Sequence, residues 1–229
     1  MELTGKLKEL GQKPSKSEEN GLLLLRESDL VVFSPGISSG GFAEIRMAMS
    51  NHKRKIITTT IDEEGLGYST ANIRELGLQN QINAKIEDLT KSFPYPKNYF
   101  DYIYARLVLH YLSYQELNIV LSNLRHSLKN TGHIFVVVRS VKNLDKEKLD
   151  QQEYDSKTRL TKVYYHDENG KVIGSGIRCF HTPETIKEHL EKTGFEVIYT
   201  KEYQEQLYKD FMRTKMAPRM DHVIEIHAK

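Results

Sequence analysis

The sequence predicts an α/β protein built on a mostly parallel sheet with helices on both faces. Three observations carry that prediction. Through about residue 139, strand-like and helix-like segments alternate, the order that builds parallel strands joined by crossover helices. An apolar, β-branched run at residues 30–33 passes through Ser34, Pro35, Gly36, Ser38 and Gly40 into a helical pattern of Phe42, Ile45 and Met49, which reads as strand, tight loop, helix. Residues 133–139 are almost continuously apolar, as a strand buried on both faces requires.

The first twenty residues are polar, lysine-rich and punctuated by Gly5, Gly11 and Pro14, so residues 1–27 form an N-terminal arm, either a frayed end or a lid over a ligand. Leu22 to Leu25 read as its last helical turn, with the first strand at residues 30–34. The helix from about residue 41 ends in His52, Lys53, Arg54 and Lys55, cations suited to the negative end of a helix dipole. Residues 55–62 have strong strand propensity and close on Asp62, followed by a helix over 68–76 with Gly77 as its cap. Residues 82–89 read as a third strand with its exit loop. Residues 99–105 read as a fourth strand after a proline turn. Ser113 and Glu116 form a capping box. The helix it starts carries Leu117, Val120, Leu121, Leu124 and Leu128 on one face, with Gly132 placed just past its end.

Beyond residue 139 the character changes. Residues 141–157 are charged and aperiodic; segments 159–166 and 171–180 flank Asp167-Glu168-Asn169-Gly170 as a hairpin. Thr182 caps a helix that has Pro183 at its first position and stops at Gly194. Strands at 195–203 and 222–228 close the chain, and Tyr203, Tyr208, Phe211 and Met212 read as core and cover.

Composition bounds the function. The 229 residues suffice for one well-buried core, so residues 28–229 form a single domain, with 141–181 as an insertion. Thirty-three Lys+Arg against 31 Asp+Glu give a formal charge of +2 without a basic stripe, which disfavours nucleic acid as partner. The lone Cys179 rules out an internal disulfide, and no apolar run is long enough to span a bilayer; the chain reads as soluble and cytoplasmic, with its oligomeric state left open. Nine histidines show no ligand spacing, so no metal site is expected.

The glycine-rich loop reads either as a turn alone or as a cradle in which backbone N–H groups meet a ligand at the strand's carboxyl end. Asp62 lies about twenty residues further on, the spacing at which a second parallel strand brings a carboxylate beside ribose hydroxyls; a helix N-cap, compatible with that geometry, is the lesser reading. The loop lacks Gly-x-Gly-x-x-Gly spacing, which disfavours a nicotinamide-dependent oxidoreductase.

Together, Ser34 to Gly40, Asp62, Phe93 to Asp101, Leu109-His110-Tyr111-Leu112 and Leu121 to Val138 resemble a class I S-adenosylmethionine-dependent methyltransferase of the small-molecule type. The resemblance covers residues 28–140 well, and residues 194–197 with the last strand more loosely. It implies a Rossmann-like seven-stranded sheet, S-adenosyl-L-methionine as cofactor and a small-molecule acceptor methylated by in-line displacement. Three positions depart from the family: Ser34 stands where the family usually has Asp, Ser38 replaces the middle glycine, and Lys85 occupies the place of an acid that receives the adenine amino group. These departures keep a second reading open, a non-catalytic binding or partner protein with impaired cofactor binding. On the resemblance, Ser34, Gly36, Ser38, Gly40, Asp62, Ile86 and Glu87 hold the cofactor, with adenine near Ile86 and Glu87. His110, Arg106 and Tyr111 form the catalytic end, His110 as general base or as a packed residue. Arg139, Arg178 and His181 face the acceptor, to recognise an anion or to make structural ion pairs, and the 141–181 insertion and the arm cover it.

Overall fold

The computed structural model describes residues 14–38, 40–146, 153–166, 170–208 and 216–229. Ser39, Phe211, Met212, the first thirteen residues of the arm and the turn residues 167–169 lie outside them. Helix α1 (Lys16–Leu23) precedes strand β1 (Val31–Pro35), helix α2 (Phe42–Ser50), strand β2 (Lys55–Thr60), helix α3 (Glu63–Glu75) and strand β3 (Ile82–Ile86). Strand β4 (Phe100–Arg106) leads through a short 3-10 turn, Leu109–Tyr111, to helix α4 (Tyr114–Ser127) and strand β5 (Leu128–Arg139). Three short strands follow, β6 (Glu153–Asp155), β7 (Leu160–His166) and β8 (Val172–Arg178), then helix α5 (Pro183–Lys192) and strands β9 (Val197–Tyr208) and β10 (Met216–Ala228).

Seven strands form one sheet in the order β3-β2-β1-β4-β5-β10-β9, the pairs from β3 to β5 all parallel and β10 antiparallel to both neighbours. Strands β6, β7 and β8 make a separate antiparallel sheet, the hairpin insertion. The alternation along β5 shows why the central strands read as unbroken apolar runs. Ile134, Val136 and Val138 join the core beneath α4 and α5, whereas Phe135 and Val137 join the core beneath α2 and α3. Both capping boxes form, Ser113 with Glu116 and Thr182 with Thr185.

Three elements differ from expectation. Helix α3 starts at Glu63, five residues earlier, because Asp62 caps it through Gly65 N at 3.0 Å. Gly132 lies inside β5 rather than after α4, because the chain turns directly from Ser127 into the strand. A Cβ there would stand 3.0 Å from the Asp101 carbonyl, so the backbone passes its neighbour more closely than a side chain allows. Strands β9 and β10 run past residues 203 and 222 into the segment expected to be cover.

Helix α1 is fastened to the sheet by buried polar contacts. Glu205 accepts from Ser17 N at 2.8 Å and Ser17 Oγ at 2.6 Å, and Glu225 accepts from Asn20 Nδ2 at 2.7 Å and from Tyr203 and Tyr199. Gly21 lets the helix approach: an added Cβ would fall 2.5 Å from the Tyr104 ring and 2.7 Å from that of Phe135. Gly21→Val therefore overpacks this contact. It is expected to lower stability by about 1–3 kcal/mol and the melting temperature by several degrees. An unchanged melting temperature would show that α1 does not dock there.

Candidate functional site

Strands β1 and β2 pair in parallel register, Ser34 opposite Thr58 and Pro35 opposite Thr59. Where they end, Gly36 N and Ile37 N both donate to Thr59 O, at 2.8 and 2.9 Å, so the loop after β1 is bonded to the strand that delivers Asp62. Gly36 has φ +80° and a Cβ there would meet Val108 at 2.7 Å, so backbone conformation and close packing both require glycine. Gly41, at φ +61°, starts α2.

The ends of β1, β2, β3 and β4 surround one cavity of about 460 Å³, within the range of small-molecule sites. Of the residues expected to hold a cofactor, Ser34, Gly36, Ser38, Asp62 and Glu87 line it. Gly40 does not; the Phe42 ring occupies the space a Cβ would take. Ile86 is half-exposed and also lies off the lining. Lys85, expected at an adenine-binding position, is turned to other partners: its ammonium pairs with Glu87 Oε2 at 2.8 Å and lies over the Tyr95 ring. The next residues along, Asp88, Leu89 and Thr90, line the cavity instead, in a turn closed by Thr90 N and Oγ1 on Asp88 Oδ1.

A methyltransferase-domain family model matches residues 41–200. The chain belongs to this family, the class I S-adenosylmethionine-dependent methyltransferases that its motifs resemble. Solved structures agree on the fold. An S-adenosylmethionine-dependent methyltransferase from Methanosarcina mazei superposes with TM-score 0.69 at 16% identity, covering 100% of this chain and 98% of that one. The CcbJ methyltransferase from Streptomyces caelestis gives 0.68 at 12%, covering 95% and 90%. The [4+2]-cyclase SpnF gives 0.60 at 17%, covering 98% and 80%. No curated protein matches the sequence.

At the other end of the methyltransferase cavity lie Arg106, His110, Tyr111, Arg139, Leu207 and Tyr208. Leu107, at φ +55°, redirects the chain after β4 so that residues 108–112 form this wall. Arg106, expected at the catalytic end, lines the cavity and is held there by α1. Its Nε donates to Ser17 Oγ at 2.7 Å and its Nη2 to Ser15 Oγ at 2.5 Å, with Glu205 at 3.9 Å. Arg139 pairs with Asp221 at 2.8 Å. Arg178 and His181 stand outside the lining, Arg178 over the Tyr111 ring and His181 stacked on Tyr114. None of the described residues of the arm or of the 141–181 insertion lines the cavity; the insertion supports it from behind through Cys179 N on His110 O at 2.7 Å.

His110 is 1% exposed, and neither ring nitrogen has a partner among the described residues. Burial first, then the Arg139 and Arg178 cations, keep its imidazole neutral well below the ordinary range. Among the described residues no cluster of potential ligands could hold a metal ion. No helix of the described residues is long and apolar enough to cross a membrane.

The sequence reading missed Glu44. It sits in the first turn of α2, 4% exposed, lines the cavity, and accepts from Ser34 Oγ at 2.5 Å. An acid in a first helical turn suits the dipole wherever the helix lies, so the sequence carries no sign that this one is buried.

Buried neutral imidazoles also set the acid stability. Desolvation pushes His181 down to about 3 and His227 to about 4, and His110 and His189 lie in the same direction. Unfolded, these histidines take up protons near pH 6.5, so stability is intact above that pH and falls as pH drops toward the folded values. Each imidazole that stays neutral contributes a slope of about 1.4 kcal/mol per pH unit. Thermal melts are expected to show a falling midpoint between pH 6.5 and pH 4.5, before most carboxylates titrate. A flat midpoint across that window would contradict the buried neutral state.

Proposed function

We propose that the chain transfers a methyl group from S-adenosylmethionine to a small-molecule acceptor by in-line displacement, in the cytoplasm. The observation that carries this reading is a single cavity with Ser34, Gly36, Ser38 and Asp62 at one end and His110 and Tyr111 at the other. The donor set suits the cofactor. Asp62 lines the cavity while one of its oxygens caps α3, and Glu87, paired with Lys85, lines it beside Asp88. Asp62 holds the ribose through a bidentate, charge-assisted contact. The turn at Asp88 and Leu89, with Glu87, takes the adenine in place of Ile86. When bound, the cofactor supplies a methyl group already activated on a sulfonium, so the protein's work is alignment and exclusion of water. His110 accepts the acceptor's proton, its neutral imidazole free to do so at physiological pH. Tyr111, Leu207 and Tyr208 give the acceptor an aromatic and apolar wall. Arg139 serves through its Asp221 pair as a neutralised edge rather than as an anion receptor. The single, deeply buried Cys179 agrees with a reducing compartment.

Asp62 can be tested with two variants. Asp62→Asn preserves helix capping but removes the charge, whereas Asp62→Ala removes both. By calorimetry with S-adenosylhomocysteine, both are expected to weaken binding by roughly 10- to 100-fold. Only Asp62→Ala is expected to lose stability, by about 1 kcal/mol. Unchanged affinity in Asp62→Asn would reduce Asp62 to a cap.

A further inference from the structure

The four acids that line the cavity among the described residues, Glu44, Asp62, Glu87 and Asp88, all belong to the end formed by the head of α2 and the loops after β2 and β3. Among the described residues, the wall after β4 and β5 has none. It is built from Val108, Leu109, Leu112 and Leu207 with the rings of Tyr111 and Tyr208. The cations there already have partners, Arg139 in Asp221 at 2.8 Å and Arg106 in Ser15 and Ser17. His110 differs from both arginines. Its ring lines the cavity, is 1% exposed, lies 4.5 Å from the Tyr111 ring, and has no hydrogen-bond partner on either nitrogen among the described residues. A buried polar side chain left open in a cavity wall is costly to keep unless a ligand answers it. Burial, with the Arg139 and Arg178 cations, keeps the imidazole neutral, so it offers one N–H and one lone pair.

These features constrain the charge of what binds here. A cationic acceptor such as an alkylamine would lose its hydration against apolar side chains, meet no carboxylate, and lie beside Arg106 and Arg139. A carboxylate acceptor would give up as much hydration for guanidinium groups that the protein already holds. An uncharged aromatic ring with one hydroxyl loses little on leaving water, packs against Tyr111, and gives its O–H to the imidazole lone pair. We propose that the acceptor is an uncharged aromatic hydroxyl compound, methylated on oxygen, and that His110 is the residue that selects it. This assignment rests on the cofactor reading above. The acceptor oxygen bonds to the methyl carbon as the carbon–sulfur bond breaks with its electron pair left on sulfur, and the hydroxyl proton passes to His110. Charge development points the same way. A hydroxyl turns partly anionic as it reacts, which the neighbouring arginines favour, whereas an amine turns into an ammonium, which they oppose.

Calorimetry on the chain loaded with S-adenosylhomocysteine tests this with four ring-matched probes. 4-Propylphenol is uncharged and donates a proton; 4-propylanisole has the same ring and oxygen without that proton; 4-propylbenzylamine is a cation at neutral pH and 4-propylbenzoate an anion. The phenol is expected to bind roughly tenfold more tightly than each of the other three, the range of one well-placed hydrogen bond in a buried site. His110→Phe keeps a buried ring and removes the lone pair. It is expected to abolish the preference for the phenol over the anisole and to leave S-adenosylhomocysteine affinity unchanged. An amine or a carboxylate that binds the native chain as tightly as the phenol would overturn the assignment, as would a His110→Phe chain that still prefers the phenol. Should His110→Phe not fold, the ranking of the four probes on the native chain decides alone. If S-adenosylhomocysteine binds and none of the four probes does, the acceptor class falls while the cofactor reading stands. If S-adenosylhomocysteine itself does not bind, the cofactor reading fails and takes the acceptor class with it.

Discussion

The site depends on one backbone constraint, the parallel pairing of β1 with β2 and the two bonds from Gly36 N and Ile37 N to Thr59 O that extend it past the strand ends. Parallel neighbours finish at the same edge of a sheet, so whatever follows each of them shares a crevice. Here the first is followed by a loop whose glycine has a positive φ and the second by a carboxylate, and both open onto one cavity. Every polar group assigned to a cofactor is placed by this pairing or by β3, which lies in register beside β2. The other end of the cavity is placed by β4 on the other side of β1, where Leu107 turns the chain back over the sheet edge.

Energetically, the fold supports this edge from two separate cores and a polar seam. Apolar side chains on the two faces of β5 join different helical layers, so the central strand is fixed from both sides. Along the rim, Arg106, Glu205, Ser15 and Ser17 fasten α1 across the cavity wall, and the cations bordering the end after β4 and β5 have partners within the protein. That leaves His110 as a polar side chain at this end with neither ring nitrogen bonded among the described residues. Its cost in stability is the kind a fold carries at a working site.

Much of the architecture was legible because it rests on local chemistry. The β1 run, the glycine turn, the capping box at Ser113, the cap at Thr182 and the apolar β5 strand each announce themselves within a few residues. Asp62 was legible as a cap, and the structure shows that capping α3 and lining the cavity coexist in one side chain. What escaped the sequence are long-range partnerships. A cation at the end of β4 suggests chemistry, but Arg106 is taken by serines of α1 and by Glu205 of β9. Lys85 sits at a plausible cofactor position in sequence, yet it pairs with Glu87 two residues on and covers Tyr95. The partner of Ser34, Glu44, comes from the next element, where burial cannot be read from pattern. The likeness to SpnF also shows that this fold is shared by a cyclase, so methyl transfer is argued from the site and not from the sheet.

The most direct measurement is a crystal structure of the chain with S-adenosylhomocysteine. The account predicts density for the nucleoside between the loop after β1 and Asp62, with the ribose hydroxyls on that carboxylate and the sulfur pointing toward His110. A ligand bound elsewhere, or a crevice that stays closed at saturating concentration, would contradict it.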